Sequence, residues 1–230
     1  MPAEIVVTGA SGALGAAVVK MLAAAGHHVI AIGRAGGEAK LAQAVGQILH
    51  CRTLSFDLGE LPAWESALKG VEIAGAVLTA GGWKGGARLH EPAATAAWRE
   101  MLDANLESAH VALQAVLPPL VARRAGSVVV VGSRAALRPW ESAGAAAYAA
   151  SKAALMALVQ AIAAETLNDG VRVNAVLPST IDTGVNRQAM PGAKTERWVS
   201  TDSLAGVIGF LLSDDARDIS GALIPVYGRA

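Results

Sequence analysis

Cysteine, net charge and long apolar runs are what this 230-residue chain has least of. Cys51 is its one cysteine, which excludes an intramolecular disulfide and a cysteine-based metal cluster. That side chain reads as a small buried hydrophobe. Nineteen basic and nineteen acidic residues cancel, so no electrostatic case exists for nucleic acid or a membrane surface as partner. No apolar run reaches the length of a membrane span. A strand pattern starts at Ile5 with no basic segment and cleavage site ahead of it, which points to a soluble, cytoplasmic protein. His50, His90 and His110 have no spacing that suggests a metal, so no metal site is expected.

Apolar residues are abundant. The chain is 53% hydrophobic and 17% charged, enough to bury the core of one α/β domain over residues 1–230. So little charge also implies that some apolar faces are covered by other subunits. β-branched runs at Ile5–Val7, His28–Ile32, Thr53–Asp57, Ile73–Thr79, Gly126–Gly132, Val171–Leu177 and Ala222–Val226 read as strands. Helical patterns lie between them: Ala16–Ala25, Trp64–Leu68, a long region Ala93–Ala122, the stretch opening at Tyr148, and Ser203–Leu212. Between Asp182 and Trp198 the chain reads as a loose segment. Strands alternating with helices imply a three-layer, doubly wound parallel sheet, the Rossmann fold, with right-handed crossovers. Ligands of such sheets sit beyond the carboxyl ends of the strands.

Tyr148 and Lys152 stand four residues apart on an Ala-rich helix, so they share one face. An ammonium beside a phenol favours the phenolate and lowers its pKa, which would make Tyr148 a proton donor and acceptor near neutral pH. The plainer alternative is a Tyr and a Lys capping a core helix. At the first strand, Thr8-Gly9-Ala10-Ser11-Gly12-Ala13-Leu14-Gly15 leads into a helix. Strand, Gly-rich turn and helix are the context of a dinucleotide-binding turn. Gly9 permits the tight turn, Gly12 the approach of a pyrophosphate, and Gly15 close packing of helix on strand. After the second strand, where an acid would bind the ribose hydroxyls of NAD, the chain has Gly33-Arg34. Arg34 suits a 2′-phosphate, which favours NADP(H) over NAD(H); a solvated loop arginine is the alternative. Asp57 is either an adenine contact or a turn cap. Asn105, polar amid Leu102, Leu106 and Val111, is either a surface position or an internal hydrogen bonder.

With these residues in place, the chain resembles the short-chain dehydrogenases/reductases over nearly its whole length. The resemblance rests on the turn Thr8–Gly15, on Tyr148 with Lys152, on Ser133 after the fifth strand and on Asn105. Asn174–Pro178, Ile181-Asp182-Thr183 and Ile219-Ser220-Gly221 add to it. It implies hydride transfer between a nicotinamide and a carbonyl or imine carbon. Tyr148 is then the general acid or base, and Lys152 its activator and ribose ligand. Ser133 holds the substrate oxygen, and Asn105 holds a water relaying protons to Lys152. The implied cofactor set is Gly9, Ser11, Gly12, Ala13, Leu14, Gly15, Arg34, Asp57, Ala80, Gly81, Tyr148, Lys152, Pro178, Ile181 and Thr183, with Thr183 on the carboxamide. Homodimers or homotetramers are implied too.

A narrower similarity links Ala80–Gly86 and Val176–Thr183, with Asn186-Arg187, Met190-Pro191 and Trp198, to dihydropteridine reductases, which reduce a flat pterin. The chain departs from them in carrying Arg34 in place of an acid and in keeping Ser133 and Asn105. Trp83, Trp140 and Trp198 fall in loops beyond strand ends and form either a slot for a flat small-molecule substrate or loop packing. Lys84, Arg138 and Arg187 read as solvated charges. A non-catalytic, dinucleotide-binding regulatory protein is the reading from another functional class, and the complete Ser133, Tyr148, Lys152 and Asn105 set speaks against it.

Overall fold

A computed structural model describes residues 3–229. Its frame is a seven-stranded parallel sheet: β1 (Glu4–Thr8), β2 (His28–Gly33), β3 (Cys51–Ser55), β4 (Ile73–Leu78), β5 (Gly126–Val131), β6 (Val171–Pro178) and, after a two-residue ladder of β7 (Ile181–Asp182) with β8 (Val199–Ser200), β9 (Leu223–Val226). The order across the sheet is β3-β2-β1-β4-β5-β6-β9. The chain therefore runs one way from β1 to β3 and the other way from β4 onward. The reversal leaves a crevice beyond the ends of β1 and β4, where open sheets of this kind bind ligands.

Both faces of the sheet are apolar because both are covered. Val6, Ile30, Ile32, Leu78, Val128, Val130, Val173 and Leu177 point to one side. There they meet Trp64 of α3 (Leu61–Leu68), Leu113, Val116 and Leu120 of α5 (Ser108–Arg123), and Leu155, Val159 and Ile162 of α7 (Ala146–Glu165). The residues between them, among them Ile5, Val7, Val29, Val77, Val129 and Val131, face the other side. They pack on Leu14, Val18 and Leu22 of α1 (Ala13–Ala24), Leu41 of α2 (Glu38–Val45), and Leu204, Ile208 and Leu211 of α9 (Thr201–Leu212). The strict period of two along each strand thus builds two cores from one sheet. Trp64 is fully buried, and its indole N–H is satisfied by the Leu58 carbonyl at 3.0 Å.

Several boundaries differ from those read off the sequence. The third strand spans Cys51–Ser55, so Asp57 lies in the turn beyond it. Cys51 is half-buried, at the edge of the core and not inside it. The Ala93–Ala122 region holds α4 (Thr95–Leu102), a π-helical turn at Asp103–Glu107, and then α5. The segment after Asp182 contains β8 and a short helix, α8 (Gly184–Ala189). A four-residue helix, α6 (Arg134–Leu137), follows β5 directly.

Candidate active site

The turn after β1 is built for close approach. Gly9 has φ of 65°, and a Cβ there would stand 2.6 Å from Thr79 Oγ1 and 2.8 Å from Ala80 N. A Cβ on Gly15 would run into the Gly9 carbonyl, and one on Gly12 would lie 3.2 Å from that same oxygen. The helix start is therefore pressed onto the turn. Gly12 caps α1 without a side-chain hydrogen bond, and the first turn holds no acidic residue. The leading N–H groups of α1 remain for a ligand, at the positive end of the helix. That cradle fits the pyrophosphate of a dinucleotide. Thr79 Oγ1 donates to the Thr8 carbonyl at 2.7 Å, and Ala80 N–H donates to Thr8 Oγ1 at 3.3 Å. These bonds tie the ends of β1 and β4 together under the crevice.

Arg34 is exposed at the exit of β2 and takes part in no ion pair among the described residues. Its side chain lies over Gly37, whose Cβ would stand 3.3 Å from Arg34 Cγ. Asp57 takes the turn-cap geometry: its Oδ1 accepts the Gly59 N–H at 3.0 Å.

On the other side of the crevice, Asn105 sits fully buried in the π-helical turn. A single extra residue per turn rotates a side chain inward, and such bulges mark functional positions. Asn105 Oδ1 accepts the Gly82 N–H at 2.9 Å, and Asn105 Nδ2 donates to Ser151 Oγ at 3.1 Å. Ser151 Oγ in turn donates to the Tyr148 carbonyl at 2.8 Å. One asparagine thus joins the loop after β4 to the first turn of α7. Gly81 is needed there, because its Cβ would fall 2.6 Å from Asn105 Oδ1 and 3.3 Å from Lys152 Nζ. Ser151 and Thr79 carry no role in the sequence reading, and Thr8 enters it only as the first residue of the turn. The signal for Ser151 was present: it lies inside the Tyr148–Lys152 spacing, one helical turn after the tyrosine.

Lys152 is buried, and its Nζ donates to the Val131 carbonyl at 3.0 Å. Burial brings its pKa down from 10.5 to about 8. Burial raises that of the Tyr148 phenol, while hydrogen bonding with the Ser133 hydroxyl acts in the opposite sense. The expected lowering of the phenol's pKa is therefore not what the protein alone displays: removal from water outweighs the favourable contact. Ser133 stands at the end of β5, and its Oγ accepts the Ala135 N–H at 3.2 Å, capping α6. Thr183 caps α8 in the same manner, accepting the Asn186 N–H at 3.2 Å. Pro178 ends β6 and Ile181 opens β7, both beyond the same sheet edge.

The three loop tryptophans do not stack on one another among the described residues. Trp83 and Trp140 are exposed, and Trp198 is half-buried. Trp83 leans on its own loop, its Cζ2 within 2.8 Å of where a Gly85 Cβ would be. The Gly86 N–H donates to the Gly144 carbonyl at 2.9 Å, pinning this loop to the turn ahead of Tyr148. Lys84, Arg138 and Arg187 are not free solvated charges. They pair with Glu100, Glu141 and Asp182 respectively. The Arg187–Asp182 pair is bidentate, at 2.6 and 2.7 Å, and its hydrogen bonds hold the Asp182 carboxyl below its usual range. No cluster of three or more potential metal ligands occurs among the described residues.

Comparison with known proteins accords with this geometry. The family model described as short chain dehydrogenase matches residues 3–194. Galactitol 2-dehydrogenase (L-tagatose-forming) from Cereibacter sphaeroides is 30% identical over 235 residues, covering 96% of this chain and 92% of that protein. Dehydrogenase/reductase SDR family member 4 from Bos taurus is 34% identical over 141 residues, where the match spans 57% of this chain and 50% of that protein. A crystal structure of an oxidoreductase of the short chain dehydrogenase/reductase family from Burkholderia thailandensis superposes with a TM-score of 0.88 at 33% identity, over 99% of this chain and 92% of that one.

Proposed function

The chain belongs to the short-chain dehydrogenase family, and from that premise we propose that this oxidoreductase moves hydride between NADP(H) and a carbonyl or alcohol on a small molecule, working as a homodimer or homotetramer. The observation that carries this reading is a buried lysine one helical turn beyond a tyrosine whose phenol lies near enough to the Ser133 hydroxyl to be stabilised by it, all beyond the strand ends that hold the glycine cradle. A reduced nicotinamide, when bound, supplies the hydride. The chain supplies the rest. Ser133 donates its hydroxyl to the substrate oxygen and stabilises the negative charge that develops there. Tyr148 delivers the proton to that oxygen in reduction and takes it back in oxidation. Lys152 would hold a proton store behind Tyr148 and would hydrogen-bond a ribose hydroxyl of the bound cofactor. Asn105 fixes the loop at Gly81-Gly82 beside Lys152, the position for a water that relays protons.

Arg34 supports NADP(H) over NAD(H), because an exposed arginine at the end of β2 with no carboxylate partner among the described residues suits a 2′-phosphate. The test of the whole reading is turnover of NADPH and NADP⁺ with a panel of ketones, alcohols, quinones and pterins, read against NADPH and NADH titrations followed by fluorescence. Wild type is expected to turn over at least one member, and Arg34→Ala to weaken NADPH about tenfold or more while leaving NADH unchanged. Equal weakening of both cofactors removes the 2′-phosphate contact. Binding without turnover of any member favours the non-catalytic alternative.

A further inference from the structure

Between Ser133 and Tyr148 the chain places two arginines and a glutamate that gather at Tyr227 and that hydride transfer does not use. Arg134 follows Ser133 directly and opens α6; Arg138 follows its last residue. Both guanidiniums lie over the Tyr227 ring, at 5.9 and 5.4 Å from its centroid. Glu141 is their shared partner, with Oε2 at 3.4 Å from Arg134 Nε and Oε1 at 3.2 Å from Arg138 Nη1. One carboxylate therefore serves two guanidiniums, one oxygen each. A guanidinium has five N–H donors, so most of these stay unused. The two side chains are 28% and 48% exposed, which leaves those donors open to solvent.

Among the described residues no second carboxylate pairs with either guanidinium. Tyr227 is stitched in place through its carbonyl, which accepts from Ser179 Oγ at 2.7 Å just beyond β6. The tail after it is bound to the loop before β8, where Arg197 Nε donates to the Arg229 carbonyl at 2.8 Å. Glu196 is on that loop and takes part in no ion pair among the described residues. The net charge of the Arg134, Arg138 and Glu141 group is positive, spread over the helix that Ser133 caps and the turn that follows it.

We propose that Arg134 and Arg138, stacked on Tyr227 beside Ser133, bind an anionic group of the substrate, a carboxylate or a phosphate. This rests on the oxidoreductase reading above and names the substrate class for that site. The aromatic face holds the two forks in register, and an anion completes what Glu141 leaves half-filled.

The test compares matched pairs on the full chain with NADPH or NADP⁺ present: 3-hydroxybutyrate against its methyl ester, and glycerol 3-phosphate against glycerol. Binding is read by calorimetry and turnover by absorbance. The anionic member of at least one pair is expected to bind tenfold or more tighter than its neutral partner. Which pair discriminates separates a carboxylate from a phosphate. Arg134→Gln with Arg138→Gln is expected to abolish that preference and leave the neutral member unchanged. Glu141→Gln, which releases both guanidiniums, is expected to strengthen anion binding, whereas a merely structural ion pair would weaken or leave it unchanged. Equal binding of both members in both pairs, or a preference that survives the double substitution, overturns the proposal. Anion preference in calorimetry without turnover of any substrate would instead fault the oxidoreductase reading and leave the basic pair standing.

Discussion

At the scale of single residues, one cause acts on Tyr148 and Lys152 in opposite directions. Removal from water favours the neutral form of each, raising the phenol's pKa and bringing that of the amine to about 8. At neutral pH the phenol is thus an acid with its proton in place. Reduction needs that proton, so its rate is expected to be flat through neutrality and to fall at high pH. Oxidation needs the phenolate and is expected to rise over the same range. Tyr148→Phe should lower kcat by about 10²- to 10⁴-fold and leave NADPH affinity within about twofold, as seen by steady-state kinetics and fluorescence titration. Unchanged turnover would remove Tyr148 from proton transfer. Lys152 carries a separate stability signature. Its folded pKa lies below its unfolded value, so the unfolded chain holds more protons between about pH 8 and 10.5. The contribution of this group to stability therefore improves as pH rises through that window. Lys152→Met, which has no buried charge to maintain, should be more stable than wild type by about 1–3 kcal/mol at pH 7 while losing activity. Urea unfolding should find that difference shrinking toward pH 10.5.

At the scale of elements, what could be read from the chain depended on how strongly each piece is patterned. Apolar strands such as Gly126–Val131 declare themselves because burial on both faces leaves few other choices of residue, and α7 does so through its alanines and its buried Leu155, Val159 and Ile162. α8 is short and polar and follows Thr183 without a strong apolar stripe, so it reads as part of a loose segment. The π-helical turn is hidden for another reason. The helical period is intact on each side, and only the tertiary contact of Asn105 with Gly82 shows that one residue has been added. Sequence placed Asn105 as a polar residue among apolar ones. It could not choose between a surface position and an internal bond, since the donor to its oxygen comes from the loop after β4 and the acceptor of its amide from α7. The candidate site residues can be named from the sequence by type, and topology brings the ends of β1, β4, β5 and β6, where they stand, to one edge. Asn105→Leu keeps the volume and removes both bonds. It leaves the Gly82 N–H without its partner and should cost about 1–3 kcal/mol. Hydrogen exchange is expected to rise at residues 80–86 specifically, with kcat reduced more than NADPH affinity. Unaltered exchange in that loop would deny Asn105 its role in fixing it.

At the scale of the whole molecule, the covered sheet does not account for all the apolar surface. The outward face of α7 presents Ala153, Ala154, Ala157, Gln160, Ala161 and Ala164, all exposed and none charged. By length and composition α7 is apolar enough to cross a membrane, yet half of the window is already buried against the sheet. Small side chains at this spacing allow another helix to approach closely, and a second copy of the same face is the simplest cover under twofold symmetry. Tyr148 and Lys152 lie on the first turns of the same helix, so pairing along the rest of it would brace the site without entering it. Sedimentation at micromolar concentration should therefore find dimers or tetramers. Ala157→Glu with Ala161→Glu places two charges per subunit on that face and should yield monomers that still bind NADPH, because both residues are exposed and lie in later turns of α7 than Tyr148 and Lys152. Wild type sedimenting as a monomer would leave the alanine face as ordinary surface. Glutamate variants that remain oligomeric would place the contact on another face.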